Sequence, residues 1–177
     1  MKKNNNTKNI LITGNPGVGK TTLIQKIISK FNISAGGFYT SEVRDEKGKR
    51  WGFKIVSLDG KEDVMASVET ISMNRIGKYR VDTDIIDSIG VKAMEDALAE
   101  KDFVVIDEIG RMELFSKRFQ NIVMKVLDSP KFVLGTISLR RDSVYTKKIK
   151  ERQDTKIIRL TGENLAEIET YLQRLLS

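Results

Sequence analysis

An α/β fold, with helices layered on both sides of a largely parallel central sheet, is the architecture this 177-residue chain predicts. Three observations carry that expectation. Phe103-Val104-Val105-Ile106 and Phe132-Val133-Leu134-Gly135-Thr136-Ile137 are continuous apolar runs, the pattern of strands buried on both faces of a parallel sheet. Segments with apolar residues at helical spacing alternate with such runs. Finally, Gly14-Asn15-Pro16-Gly17-Val18-Gly19-Lys20-Thr21 directly follows Ile10-Leu11-Ile12, which sets a glycine-rich turn between a strand and a helix.

The elements follow in chain order. Lys8 to Thr13 reads as the first strand, and the helix after the glycine-rich turn carries Leu23, Ile24, Ile27 and Ile28 to about Lys30. Gly36-Gly37 breaks the chain before Phe38 to Val43. That segment, the turn residues Asp45 to Lys49 and the run Trp51 to Val56 read as an inserted β-hairpin. From Thr83 to about Lys101, Ile85, Ile86, Ile89, Val91, Met94 and Leu98 keep helical spacing, with a break expected at Gly90. After the Phe103 strand, Ser116 caps a helix bearing Phe119, Ile122, Val123, Val126 and Leu127, which Ser129-Pro130 ends. The Phe132 strand follows, then a last strand from Thr155 to Leu160. A final helix is expected to be capped by Thr161, with Leu165, Ile168, Leu172, Leu175 and Leu176 inward.

Length and a 40% hydrophobic content correspond to a single domain over residues 1–177, with the polar first eight residues as a flexible tail. The chain has no Cys and no His. Disulfides, thiol nucleophiles, Cys/His zinc sites and imidazole catalysis are thereby excluded, leaving carboxylates, Lys, Arg, hydroxyls and a hard metal ion. No apolar run approaches the ~20 residues that span a bilayer, and Met1 to Asn6 lacks the apolar core of a secretion signal. A cytoplasmic monomer without membrane attachment is expected. The net charge of +7 is compatible with a nucleic-acid partner but does not favour one, because the basic residues are scattered among 24 acids.

The glycine-rich octapeptide carries the chemistry. It has the phosphate-binding P-loop pattern, in which glycines let successive backbone N–H groups turn inward around a phosphate. Gly14, Asn15, Pro16, Gly17, Val18, Gly19, Lys20, Thr21 and Thr22 are therefore the candidate nucleotide-binding residues. Lys20 supplies a mobile cation for the β- and γ-phosphates, the Thr21 hydroxyl is placed to ligate Mg²⁺, and the following helix points its positive end at the anion. With this loop the expected architecture becomes the three-layer P-loop NTPase fold with an inserted β-hairpin.

Asp107 and Glu108 directly follow the Phe103 to Ile106 run, where buried acids need a cation or a cavity. Asp107 resembles the Walker B carboxylate and would hold Mg²⁺ with Thr21, while Glu108 would orient or deprotonate water at the γ-phosphate. The Asp-Glu order resembles the additional-strand, catalytic-glutamate division of P-loop ATPases. In that division a further strand separates the two motif strands, and the Phe38 to Val56 segment is the expected separator. Arg44 is the first candidate for a further cation on the γ-phosphate, with Arg140 and Arg141 second. Tyr39 and Trp51 can stack on a base, although packing is the commoner role of hairpin aromatics. No Asn-Lys-x-Asp guanine-reading element occurs.

Beyond these generic motifs, the stretches Ile12 to Leu23, Gly36-Gly37-Phe38-Tyr39-Thr40, Gly52-Phe53, Arg75-Ile76-Gly77-Lys78-Tyr79 and Asp107-Glu108-Ile109-Gly110-Arg111-Met112-Glu113-Leu114 resemble one family, the THEP1-type nucleoside triphosphatases. The resemblance runs from about residue 8 to the C-terminus. It implies slow, Mg²⁺-dependent hydrolysis of ATP, GTP, CTP and UTP to the diphosphate and phosphate, on a fold related to RecA-like ATPases and nucleotide kinases. Two other readings stand beside it. One is a nucleoside, nucleotide or polynucleotide kinase, against which stands the lack of an adenylate-kinase-like lid motif. The other is a nucleotide-gated module that binds RNA or protein.

Overall fold

The computed structural model describes residues 7–31, 33–139 and 143–176, with the side chain of Leu176 also left aside. Residues 1–6 of the expected tail, and Arg140 and Arg141, lie outside the described residues. Lys8, assigned to that tail, is instead anchored. Its amine bonds the Leu127 carbonyl and lies 3.6 Å from Asp154, and its carbonyl accepts from the Val133 N–H at 3.0 Å.

A nine-stranded sheet forms the centre. Its strands are β1 (Asn9–Thr13), β2 (Ala35–Arg44), β3 (Arg50–Ser57), β4 (Glu62–Ser67), β5 (Arg75–Ile76), β6 (Tyr79–Val81), β7 (Phe103–Ile109), β8 (Phe132–Ile137) and β9 (Thr155–Arg159). The spatial order is β5-β6-β4-β3-β2-β7-β8-β1-β9. The side from β2 to β9 is parallel throughout, and the side from β2 to β5 is antiparallel. The α/β fold is the predicted one, with more antiparallel structure than a single hairpin.

Helices α1 (Lys20–Phe31) and α6 (Leu165–Leu176) cover one face, where Leu23, Ile24, Ile27, Ile168 and Leu172 bury Ile10, Ile12, Val105 and Leu134. The other face is covered by α2 (Thr83–Ile85), α3 (Lys92–Glu100), α4 (Lys117–Asp128) and α5 (Val144–Lys150). Here Ile86, Met94, Phe119, Ile122, Val123 and Ile149 enclose Leu11, Phe38, Ile55, Val104 and Ile106. The alternation of Ile10, Leu11 and Ile12 between the two clusters is the period-2 signature of a strand buried on both sides. Three layers result.

Several expectations are revised. The strand between β1 and β7 is β8; the Phe38 to Val56 segment instead lies beyond β7, where β2 pairs with β7 through Phe38 opposite Ile106. Strands β4, β5 and β6 were not read from sequence, because the first half of β4 is polar and β5 and β6 are two and three residues long, too short for periodicity. Gly90 does not break its helix. It lies in a π-helical segment, Ile86–Val91, joining α2 to α3, and a β-carbon there would sit 2.6 Å from the Ile55 Cδ1. A side chain there would have to displace the end of Ile55.

Thr161 is not the cap of the last helix. The chain first makes a loop in which the Asn164 carboxamide accepts from the Thr161 N–H at 2.8 Å and donates to the Arg159 carbonyl at 2.9 Å. The helix begins at Leu165, so Leu165 and Leu175 rotate outward and are exposed, while Ile168 and Leu172 are buried. Among the described residues no helix is long and apolar enough to cross a membrane.

Candidate active site

The glycine-rich loop joins β1 to α1. Gly17 (φ 76°) and Gly19 (φ 100°) adopt the left-handed conformation the turn demands, and a β-carbon on Gly14 would sit 2.6 Å from the Leu160 carbonyl oxygen. The first turn of α1 contains no acidic residue, so nothing there offsets the positive helix end that faces the loop. Lys20 folds back, donating to the carbonyls of Gly14 at 3.0 Å and Asn15 at 3.1 Å. An anion in the loop would compete with these neutral carbonyls for the ammonium.

Asp107 and Glu108 lie within β7 rather than after it, because the strand continues to Ile109 through an irregularity in its pairing with β8. The peptide joining the two acids is cis. Asp107 is only 2% exposed. Its Oδ1 accepts from the Thr136 hydroxyl of β8 at 2.5 Å, whereas Oδ2 is buried with no partner among the described residues. Burial pushes its carboxyl above the usual range, opposed by the hydroxyls of Thr136 and Thr21 and by the Lys20 charge. A buried carboxylate oxygen without a donor, beside a threonine hydroxyl, is what a hard cation would complete, so Asp107 and Thr21 fit Mg²⁺. Among the described residues no group of three potential ligands could hold a metal unaided. Water and phosphate oxygens would supply the remaining positions, as Mg²⁺ sites in nucleotide-binding proteins do.

Glu108 is half-buried. Burial also raises its pKa; Lys20 pulls it down and the Asp107 charge pushes it up. Two clefts meet at this carboxylate. One, of about 320 Å³, lies among Asn15, Pro16, Lys20, Glu108, Ser138 and Leu139. The other, of about 490 Å³, runs between the loop residues Pro16, Gly17 and Gly19 to Thr22 and a wall made by Thr40, Ser41, Glu42, Arg50 and Phe53, with Glu108 also lining it.

A third acid stands behind them. Glu113 is 4% exposed, and its carboxyl is pushed up to about 8 by burial first and then by the Glu108 charge. A β-carbon on Gly110 would lie 2.8 Å from the Glu113 Oε2 and 3.1 Å from the Glu108 Oε1, which places both carboxyls against the same face of that glycine.

Arg44 is not among the residues lining either cleft. Its guanidinium bonds the Gly48 carbonyl at 2.8 Å and Glu42 at 2.5 Å, at the hairpin turn. Tyr39 lines a separate apolar groove with Ile24, Ile28 and Val56. Trp51 lines neither cleft at the loop, and Arg111 is exposed. Sequence reasoning assigned nothing to Thr136, Glu113 or Arg50. A hydroxyl inside the buried Phe132 run must find a partner, and that requirement is a usable signal for Thr136. Nothing local distinguishes Arg50.

A glycine-rich loop at a helix N-terminus, with an Asp-Glu pair on a strand one removed in a parallel sheet, is the arrangement of the P-loop NTPase class. Comparison with known proteins narrows the class. A family model described as NTPase matches residues 9–172. The nucleoside-triphosphatase THEP1 of Thermotoga sp. (strain RQ2) is 50% identical over 155 residues, covering 88% of this chain and 87% of the relative. The crystal structure of THEP1 from Aquifex aeolicus superposes with a TM-score of 0.87 at 36% identity, over 96% of this chain and 99% of that one. The solution structure of a human cancer-related nucleoside triphosphatase gives 0.79 at 32% identity, over 97% and 98%. The chain belongs to this NTPase family, as the sequence resemblance implied.

Proposed function

We propose that the protein hydrolyses the terminal phosphoanhydride of nucleoside triphosphates with Mg²⁺, using the residues gathered around the loop. The observation that carries this reading is the buried, unpartnered Asp107 Oδ2 beside Thr21, with Glu108 next to it at the junction of both clefts. The backbone N–H groups from Gly14 to Thr22 cradle the phosphates. Lys20 leaves the Gly14 and Asn15 carbonyls for β- and γ-phosphate oxygens. Asp107, held by Thr136, and Thr21 would hold the cation, which would supply positive charge against the phosphates. Glu108 orients a water molecule and takes its proton as the water oxygen bonds to the γ-phosphorus; the bond to the β-phosphate oxygen breaks and the diphosphate leaves.

Burial serves Glu108 in this role, since a carboxylate with a raised pKa is a stronger base. Nothing in the loop reads a base, and ATP, GTP, CTP and UTP are all expected substrates. Every residue invoked comes from one chain and none needs a membrane, so a cytoplasmic monomer suffices. The test is phosphate release from the four nucleotides with Mg²⁺ and no acceptor, compared with Glu108→Gln. That variant should bind nucleotide normally and lose roughly 10²- to 10⁴-fold in turnover. Turnover equal to the unmodified protein would remove Glu108 as the base, and release that appears only on adding a phosphate acceptor would make the enzyme a kinase.

A further inference from the structure

Lys20 enters the larger cleft from the loop, and a second cation faces it from the opposite wall. The β2–β3 register sets Arg44 across from Arg50, with an irregularity between Val43 and Arg44. Both guanidinium groups reach the same carboxylate: Arg44 takes Oε2 of Glu42 and Arg50 takes Oε1. Two cations thus share one acid. Their surroundings then diverge, since Arg44 turns away to the Gly48 carbonyl whereas Arg50 lines the cleft. The Arg50 guanidinium lies 5.6 Å from the Phe53 ring centroid, and its Nε is buried with no acceptor among the described residues although the side chain as a whole is 40% exposed.

An enclosed N–H on a cation, left without an acceptor, is costly unless a ligand completes it. The cleft it borders holds Thr21 and Glu108, the metal-side hydroxyl and the water-side carboxylate, so the group entering there is the terminal phosphate. We propose that Arg50 is a catalytic residue that contacts the γ-phosphate of a bound triphosphate from the hairpin wall, supplying the planar, two-pronged donor that Lys20 cannot. The inference rests on the hydrolase reading of the cleft. Phosphate oxygens take over the Arg50 donors, including Nε, and Glu42 stays paired with Arg44. As the γ-phosphorus gains the water oxygen and loses the bridging oxygen, charge spread over its other three oxygens is held by Arg50 on one side and Lys20 on the other.

The test separates this contact from general support of the fold by comparing triphosphate with diphosphate. ATP and ADP affinities, each with Mg²⁺, are measured by calorimetric titration for the unmodified protein, Arg50→Ala and Arg50→Lys, alongside turnover and thermal melting. Arg50→Ala should lose roughly tenfold or more in ATP affinity with ADP affinity within about twofold, and roughly 10³-fold in kcat. Arg50→Lys, which keeps charge and stem but not the fork, should recover less than about a tenth of that kcat. An unchanged ATP-to-ADP affinity ratio in Arg50→Ala overturns the proposal, as does kcat equal to the unmodified protein. Should Arg50→Ala fail to fold, Arg50→Lys and Arg50→Gln carry the same comparison. If the unmodified protein released no phosphate at all, the hydrolase reading would fall, while the affinity ratio would still decide whether Arg50 meets the terminal phosphate.

Discussion

The two halves of the sheet are built by different physics. From β2 to β9 the strands run parallel, are covered by helices on both faces, and end in the loop, Asp107 and Glu108. From β3 to β5 the strands are antiparallel and become shorter toward the edge, carrying surface ion pairs such as Lys54 with Glu62 and Arg50 with Glu42. The loop from Val68 to Asn74 there leaves Ile71 and Met73 almost wholly exposed. A sheet packed on both sides holds the loop and the Asp107-Glu108 pair in place through dense contacts; a ribbon held partly by ion pairs can present a cation such as Arg50 at lower packing cost. Both halves belong to one continuous sheet.

The contrast is broken or sharpened most strongly in the core. Phe119 of α4 is wholly buried and meets Phe38 of β2 edge to face at 5.8 Å, so Phe119→Ala should destabilise the protein by about 3–5 kcal/mol, measured by denaturant unfolding. A loss below about 1 kcal/mol would mean the parallel half does not derive its rigidity from packing.

A smaller, pH-dependent effect is expected behind the active site. The Glu113 carboxyl is raised from its ordinary value near 4.5 to about 8 by burial, so the folded protein holds a proton that the unfolded chain releases. The stability linked to that proton is fully present below about pH 4.5 and is lost as pH rises through about 8. Glu113→Gln, neutral throughout, should therefore lose less melting temperature than the unmodified protein between pH 5 and 8. Parallel melting profiles for the two would show that Glu113 is already ionised in the folded state.

The smallest effect belongs to the ribbon. Lys54 donates to both oxygens of Glu62, at 2.9 and 2.8 Å, with both side chains part-exposed. Lys54→Ala should cost less than about 1 kcal/mol by the same unfolding assay and leave phosphate release unchanged. A loss approaching that of Phe119→Ala would erase the distinction between the halves.

Legibility follows the same division. Strands β1 and β8 could be read almost to the residue, because burial on both faces demands unbroken apolar runs, whereas β7 continues three residues past its apolar run and β9, at the sheet edge, is only part-buried. Strands β4 to β6 left little imprint, being short or solvent-facing. The glycine-rich loop and the Asp107-Glu108 pair stood out as residue types at a spacing, and Lys20 and Glu108 line the same two clefts. Arg50 was not legible: Arg44 and Arg50 are equivalent as sequence and sit across from each other in the register, and only their side-chain surroundings separate the one bonded to the turn from the one in the cleft.

Composition and local pattern by themselves determined that this is an α/β protein with a glycine-rich loop after its first strand, an acidic pair at the end of an apolar run and no thiol or imidazole side chain, because these depend on residue identity and on neighbours within a few positions. The tertiary structure alone decided that β8 rather than the hairpin separates β1 from β7, that Thr136 holds Asp107, and that Arg50 rather than Arg44 borders the cleft. Each of these depends on pairing between segments far apart in the chain or on a strand irregularity. Such pairings are chosen by the free energy of burying the whole sheet, which no single segment carries.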